Sequence, residues 1–170
     1  MKIYQVNVVC KSGSTGRIAT DLSQKITENS GFCRIGYGRG NKAEYVDAFC
    51  ITNRIEVTTH AVMTRLTGKH GLFSKKATTR LIRDIKQYRP DIIHLHNIHG
   101  YYVNYEKLFC FLKEYGKPVV WTMHDCWAIT GQCAHYESVE CDEWQKECFD
   151  QDELNENGYE NGEKYRDRQK

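Results

Sequence analysis

The chain has 170 residues, 40% of them hydrophobic, with 24 Lys and Arg against 22 Asp and Glu and a formal net charge of +2. This fits one globular domain with a tail. It excludes a chain too polar to build a core, and no apolar run is long enough to cross a bilayer. The charge is unevenly spread: residues 54–89 carry nine Lys and Arg against two Asp and Glu, and residues 137–170 carry five against twelve. A basic middle points to an anionic partner such as phosphate or a lipid surface.

Residues 2–9 read as a buried strand. They follow Met1 directly and are too short for a signal peptide's apolar core, so a cytoplasmic location is expected. Residues 10–17 (CKSGSTGR) form a glycine-bearing turn, and Ile18, Leu22 and Ile26 then recur at helical spacing, with Ser14 or Thr15 as the expected cap. Gly13, Ser14, Thr15, Gly16 and Arg17 are candidate phosphate-binding residues, because a glycine turn entering a helix presents backbone N–H groups and a positive dipole end. The spacing matches neither the dinucleotide fingerprint nor the lysine-bearing nucleotide loop.

Gly31 closes the helix, residues 32–37 form a second strand and residues 45–51 a short third one. Ile55, Thr58, Thr59, Val62, Met63 and Leu66 mark an amphipathic helix ending near Gly68. A second helix follows Ser74 and runs to about Tyr88, with Ala77, Leu81, Ile82 and Ile85 inward. Lys75, Lys76, Arg80, Arg83 and Lys86 lie off that stripe. With exposed apolar neighbours, residues 54–89 are a candidate peripheral contact for the inner face of the plasma membrane. The helices lack a groove-reading or aromatic-interleaved pattern, so no nucleic-acid partner is expected.

The central stretch, residues 90–135, holds two apolar runs, 92–95 (IIHL) and 119–123 (VVWTM). Each follows a proline, and each ends in a polar pair: His96-Asn97 and His124-Asp125. A helix-like segment from about Tyr105 to Tyr115 separates them, with Leu108, Phe109, Phe111 and Leu112 on one side. Strand–helix–strand order implies a parallel crossover, and ligands in such sheets sit beyond the strands' carboxyl ends. His124 is a candidate for hydrogen-bonding a sugar hydroxyl or phosphate oxygen, since neutral imidazole carries one donor and one acceptor. His94, His96 and His124 could alternatively hold a metal in a hydrolase, although further acidic ligands are scarce.

Cys126, Cys133, Cys141 and Cys148 lack the close pairs of common zinc modules, yet are the candidates for a structural zinc. Residues 149–170 have almost no aliphatic side chains and cannot offset the entropy of ordering, so a disordered acidic tail is expected.

The N-terminal strand, the loop GSTGRI at 13–18, PDIIHLHNIHGYYVN at 90–104 and KPVVWTMHDCWAITGQCAH at 117–135 together resemble the N-terminal domain of family 4 glycosyltransferases, of the bacterial surface-polysaccharide type. The likeness runs over residues 1–148. It implies an α/β fold, a Rossmann-like parallel sheet with helices on both faces, forming one half of a GT-B architecture. It further implies transfer of a sugar from a nucleotide-diphosphate donor to an acceptor hydroxyl, with retention and no obligatory metal or other cofactor. In that family the N-terminal half mainly holds the acceptor, here a glycan or polyprenyl-linked one. The glycine loop, Gly13 to Gly16, approaches the phosphates, and the histidine of the His-Asp pair, His124, touches the donor sugar. Asp125, His96 and Asn97 are carried as further site candidates. The family's donor-binding C-terminal domain has no counterpart in these residues, so the polypeptide alone is expected to be inactive. A non-catalytic sugar- or phosphate-binding module is the alternative.

Overall fold

The structure is a computed structural model and describes residues 1–130. Five strands, β1 (Lys2–Val9), β2 (Phe32–Arg39), β3 (Asp47–Cys50), β4 (Ile92–Leu95) and β5 (Val119–Trp121), form one sheet in the order β3-β2-β1-β4-β5. Every pairing is parallel. The interleaved helices are α1 (Gly13–Glu28), α2 (Arg54–Thr67), α3 (Lys75–Tyr88), α4 (Tyr105–Tyr115) and the short α5 (Trp127–Thr130). This is the expected α/β, Rossmann-like sheet. The chain order reverses between β1 and β4, which is the switch point where such sheets open a crevice.

The alternation of β1 divides the core. Tyr4, Val6 and Val8 pack with Leu81 and Ile85 of α3 and with Leu108, Phe111 and Leu112 of α4. On the opposite face Gln5 reaches the Ala19 carbonyl of α1, and Ala19 packs with Ile35 and Tyr37. Helices therefore cover both faces.

Local chemistry explains the helix ends. Asn53 caps α2 in a full capping box with Glu56, and Gly68 closes it in the left-handed region at φ 66°. Asn104 accepts from the Lys107 N–H at the start of α4, and Gly116 ends it at φ 66°. For α1 the N-cap is Ser12, without a side-chain bond, in place of the expected Ser14 or Thr15.

Two helices bury a face that their apolar spacing did not indicate. In α1 the buried residues are Gly16, Ala19, Thr20 and Ser23, while Ile18 is exposed. Small side chains win because the helix start lies close to β1: a β-carbon on Gly16 would come within 3.1 Å of Val9 Cγ2 and 3.2 Å of the Lys11 carbonyl carbon. In α2 the buried residues are His60 and Thr64, and Ile55, Val62 and Leu66 face outward. In α3 Ala77, Leu81 and Ile85 are buried as expected, Ile82 is half-buried, and Thr78 joins the inward set. Arg80 departs from its predicted basic face: it donates to the Ile51 carbonyl and pairs with Glu56.

Candidate functional site

Because all strands run parallel, the loops after β1, β4 and β5 leave from one edge of the sheet, and the Gly13–Gly16 turn and His124 share that edge. Gly13 sits at φ 68°, which L side chains adopt only with strain, and nothing lies within 4 Å of a β-carbon built there. Glycine is needed for the backbone turn, and residues 11–14 around it are exposed at the start of α1. Arg17 folds back so that its Nε donates to the Gly13 carbonyl, which sets its guanidinium beside the loop. Ser14 is exposed and Thr15 half-buried.

The histidines separate into inner and outer positions. His96 is 1% exposed. Its Nε2 meets Gln5 Oε1 at 2.7 Å and its Nδ1 meets His124 Nε2 at 2.9 Å. Burial first, then the neighbouring His94 and His124, pushes the His96 pKa down to about 3, so it is neutral. His124 is half-buried and lies on the outer side of His96. His94 is half-buried, bonds Thr122 Oγ1 at 2.8 Å, and burial lowers its pKa, with His124 adding to the effect. Of the two strand-exit candidates, His124 is partly exposed and His96 is buried behind it.

Asn97 is tied through its backbone, donating from N to Asn7 Oδ1 and accepting from the Tyr102 hydroxyl. Asp125 accepts from Trp127 N at 3.0 Å and pairs with His99 Nε2 at 2.8 Å. These contacts hold the turn after β5 in place. Arg39, at the end of β2, lies over Gly100: a β-carbon there would come 3.8 Å from its Nη2 and 2.7 Å from Val8 Cγ2. It adds a cation to the same edge.

Sequence reasoning missed Gln5, Arg39 and the His99–Asp125 pair. Gln5 had a readable signal: Gln5 and Asn7 are polar at i and i+2 in an otherwise apolar strand, hence on one face, and both are fully buried. A hollow of about 560 Å³ near Gly31, Phe32 and Tyr88 lies at the opposite end of the strands from this edge.

Among the described residues no group of three or more His, Cys, Asp or Glu is placed to hold a metal ion. For a centre on His94, His96 and His124 the obstacle is geometric: both ring nitrogens of His96 are occupied by Gln5 and His124. Of the zinc candidates, Cys126 is half-buried, and Cys133, Cys141 and Cys148 lie outside the described residues, as does the acidic tail.

No helix among the described residues is long and apolar enough to cross a membrane. The sequence profile described as Glycosyltransferase Family 4 matches residues 18–147, from α1 onward. A putative colanic acid biosynthesis glycosyl transferase, WcaC of Escherichia coli (strain K12), is 30% identical over 161 residues. That alignment covers 87% of this chain and 38% of the relative, so the chain spans well under half of that protein's length. With the parallel sheet, the glycine turn and His124 on one edge, the chain belongs to Glycosyltransferase Family 4.

Proposed function

We propose that this chain is the acceptor-side half of a retaining glycosyltransferase of GT-B architecture. The enzyme would move a sugar from a nucleotide-diphosphate donor to an acceptor hydroxyl in surface-polysaccharide synthesis. The observation that carries the reading is the shared edge: the open N-terminus of α1 and the half-buried His124 both follow carboxyl ends of parallel strands. The first offers N–H groups and the Arg17 cation to a diphosphate, and the second offers an imidazole to a sugar. The part of the relative left unmatched leaves room for a second, donor-binding half.

In a two-lobed enzyme the groups that stabilise the departing diphosphate belong to the opposite lobe, and the largest electrostatic contribution goes with them. The 170-residue polypeptide is therefore expected to bind a polyprenyl-diphosphate-linked saccharide but to turn over no nucleotide sugar. Arg17→Ala should weaken acceptor binding by about tenfold, the loss of one charge-assisted contact. Robust transfer of a radiolabelled sugar by the purified chain would overturn the assignment of the half. An unchanged dissociation constant for Arg17→Ala would remove the loop from the site.

The outward stripe of α2 supports a membrane-proximal acceptor. Ile55 and Leu66 are 77% and 75% exposed, Val62 lies between them on the same side, and Arg54, Arg65 and Lys69 are exposed nearby. Apolar groups beside cations suit an anionic lipid surface, at about 1 kcal/mol for each basic residue near it. The chain should co-sediment with phosphatidylglycerol vesicles and not with phosphatidylcholine, and Leu66→Glu should abolish this. Equal binding to both lipids, or none, would sink the lipid contact.

A further inference from the structure

A run of hydrogen bonds crosses the sheet beneath the switch point, from α1 through β1 and the β4 exit to the β5 exit. Its members have fixed directions. Gln5 Nε2 lies 3.0 Å from the Ala19 carbonyl and 3.1 Å from Cys33 Sγ. A carbonyl oxygen only accepts, so the amide nitrogen must face it and Gln5 Oε1 must face His96. Oε1 in turn only accepts, so His96 Nε2 carries a proton.

His96 is neutral in its buried setting, and its Nδ1 is then a bare lone pair. The nitrogen 2.9 Å away, His124 Nε2, must donate to it. The two rings are 13° from coplanar with centroids 5.2 Å apart. Face-to-face rings could not bring two nitrogens this close, so the rings meet edge to edge along the lone-pair direction.

We infer that Gln5 and His96 are positioning residues that lock His124 as the Nε2–H tautomer. Neutral His124 then offers a ligand only the accepting Nδ1, which makes no hydrogen bond with any described residue. Its donor is already committed to His96. An accepting nitrogen selects a group that donates, and on a sugar that group is a hydroxyl; a carbonyl or phosphate oxygen, which can only accept, is disfavoured. The identity of the ligand rests on the proposed function, but the tautomer does not. Gln5 acts on His124 through His96, from 119 and 28 residues away in the sequence, and both are almost fully buried, so the setting is built into the core.

Long-range ¹H–¹⁵N spectra of the uniformly labelled 170-residue chain test this, with His96→Gln and His124→Gln used for assignment. At neutral pH both imidazoles are expected with protonated Nε2 and bare Nδ1, His124 by about ten to one, the worth of one buried hydrogen bond. Gln5→Glu supplies a carboxylate that favours a charged His96. Its Nδ1 then donates, and His124 is expected to reverse to the Nδ1–H form. A wild-type His124 that is mainly Nδ1–H would overturn the inference. So would a His124 tautomer that stays the same in a Gln5→Glu chain with an otherwise native amide spectrum. If Gln5→Glu does not fold, the wild-type spectrum still decides. Absence of acceptor binding with the tautomer intact would count against the proposed function alone.

Discussion

Acidification from pH 7 to pH 5 is expected to lower the folding stability by roughly 5–6 kcal/mol, a large part of what a small domain has. The cause is three imidazoles that the fold keeps neutral. Burial pushes His60 and His70 down to about 4 and His96 to about 3, from an ordinary value of 6.5. His60 is packed between Phe73 and Tyr101, and His70 among Tyr101, Tyr105 and Trp127. A proton on either must enter an aromatic nest. Below 6.5 the unfolded chain binds protons that the native state refuses, so the stability is complete above that value. It declines as pH falls toward the folded values near 4 and 3. The slope is about 1.4 kcal/mol per pH unit for each group. Below about 4.5 a further loss begins from Glu56, whose pKa is lowered first by its bond to Arg80. Urea unfolding at a series of pH values checks this. The midpoint should fall with an unchanged m-value, and His60→Phe should flatten the slope by about a third. A flat profile between pH 7 and 5 would contradict the buried-imidazole account.

Asp84→Ala is expected to cost about 3 kcal/mol, the loss typical of breaking a shielded ion pair by removing one partner. Asp84 lies on α3 and ties that helix to two strands. Its Oδ2 accepts from the Tyr4 hydroxyl at 2.5 Å and from Arg34 Nε at 2.8 Å, and its Oδ1 accepts from Arg34 Nη2 at 3.0 Å. The carboxylate is 11% exposed and the Arg34 side chain 25%. Removing it leaves the buried Tyr4 hydroxyl without an acceptor and strips Arg34 of its better-shielded partner, with only the half-exposed Asp47 left. Asp84→Asn keeps one acceptor oxygen, turns the other into a donor and removes the charge, and should cost about half as much. Tyr4→Phe should cost about 1 kcal/mol alone and almost nothing in the Asp84→Ala background, since the two share a bond. Denaturant midpoints of the four proteins decide it. A change under about 0.5 kcal/mol for Asp84→Ala would show the network to be ornamental to stability.

The same comparison of local and distant effects explains what could be read from the chain. The bounds of β4 and α4 were legible because each has its own punctuation. Pro90 and Pro118 precede strands, Asn104 starts the helix, and Gly116 stops it. The outward turn of α1 and α2 was not legible. Periodicity names an apolar stripe, but the buried face depends on what lies opposite. Opposite α1 is a strand carrying Gln5 and Asn7, approached so closely that Gly16, Ala19 and Ser23 fit where Ile18 and Leu22 would not. Opposite the inner face of α2 is the Ser74 hydroxyl, which bonds His60 at 2.7 Å.

The site divides along the same line. The order of strands and helices determined by itself that the sheet is parallel, and hence that the glycine turn and the histidine pairs leave from one edge. That follows from chain connectivity, since a parallel crossover carries every strand back in the same sense. Which histidine stays partly exposed and which is spent inside was decided only by the tertiary structure. His96 bonds Gln5, 91 positions away, and the register that places His94 beside Gln5 and the His96 N–H on the Val6 carbonyl sets that contact. A hydrogen bond between residues so far apart has no local sequence signal, because its geometry exists only after β1 and β4 have paired.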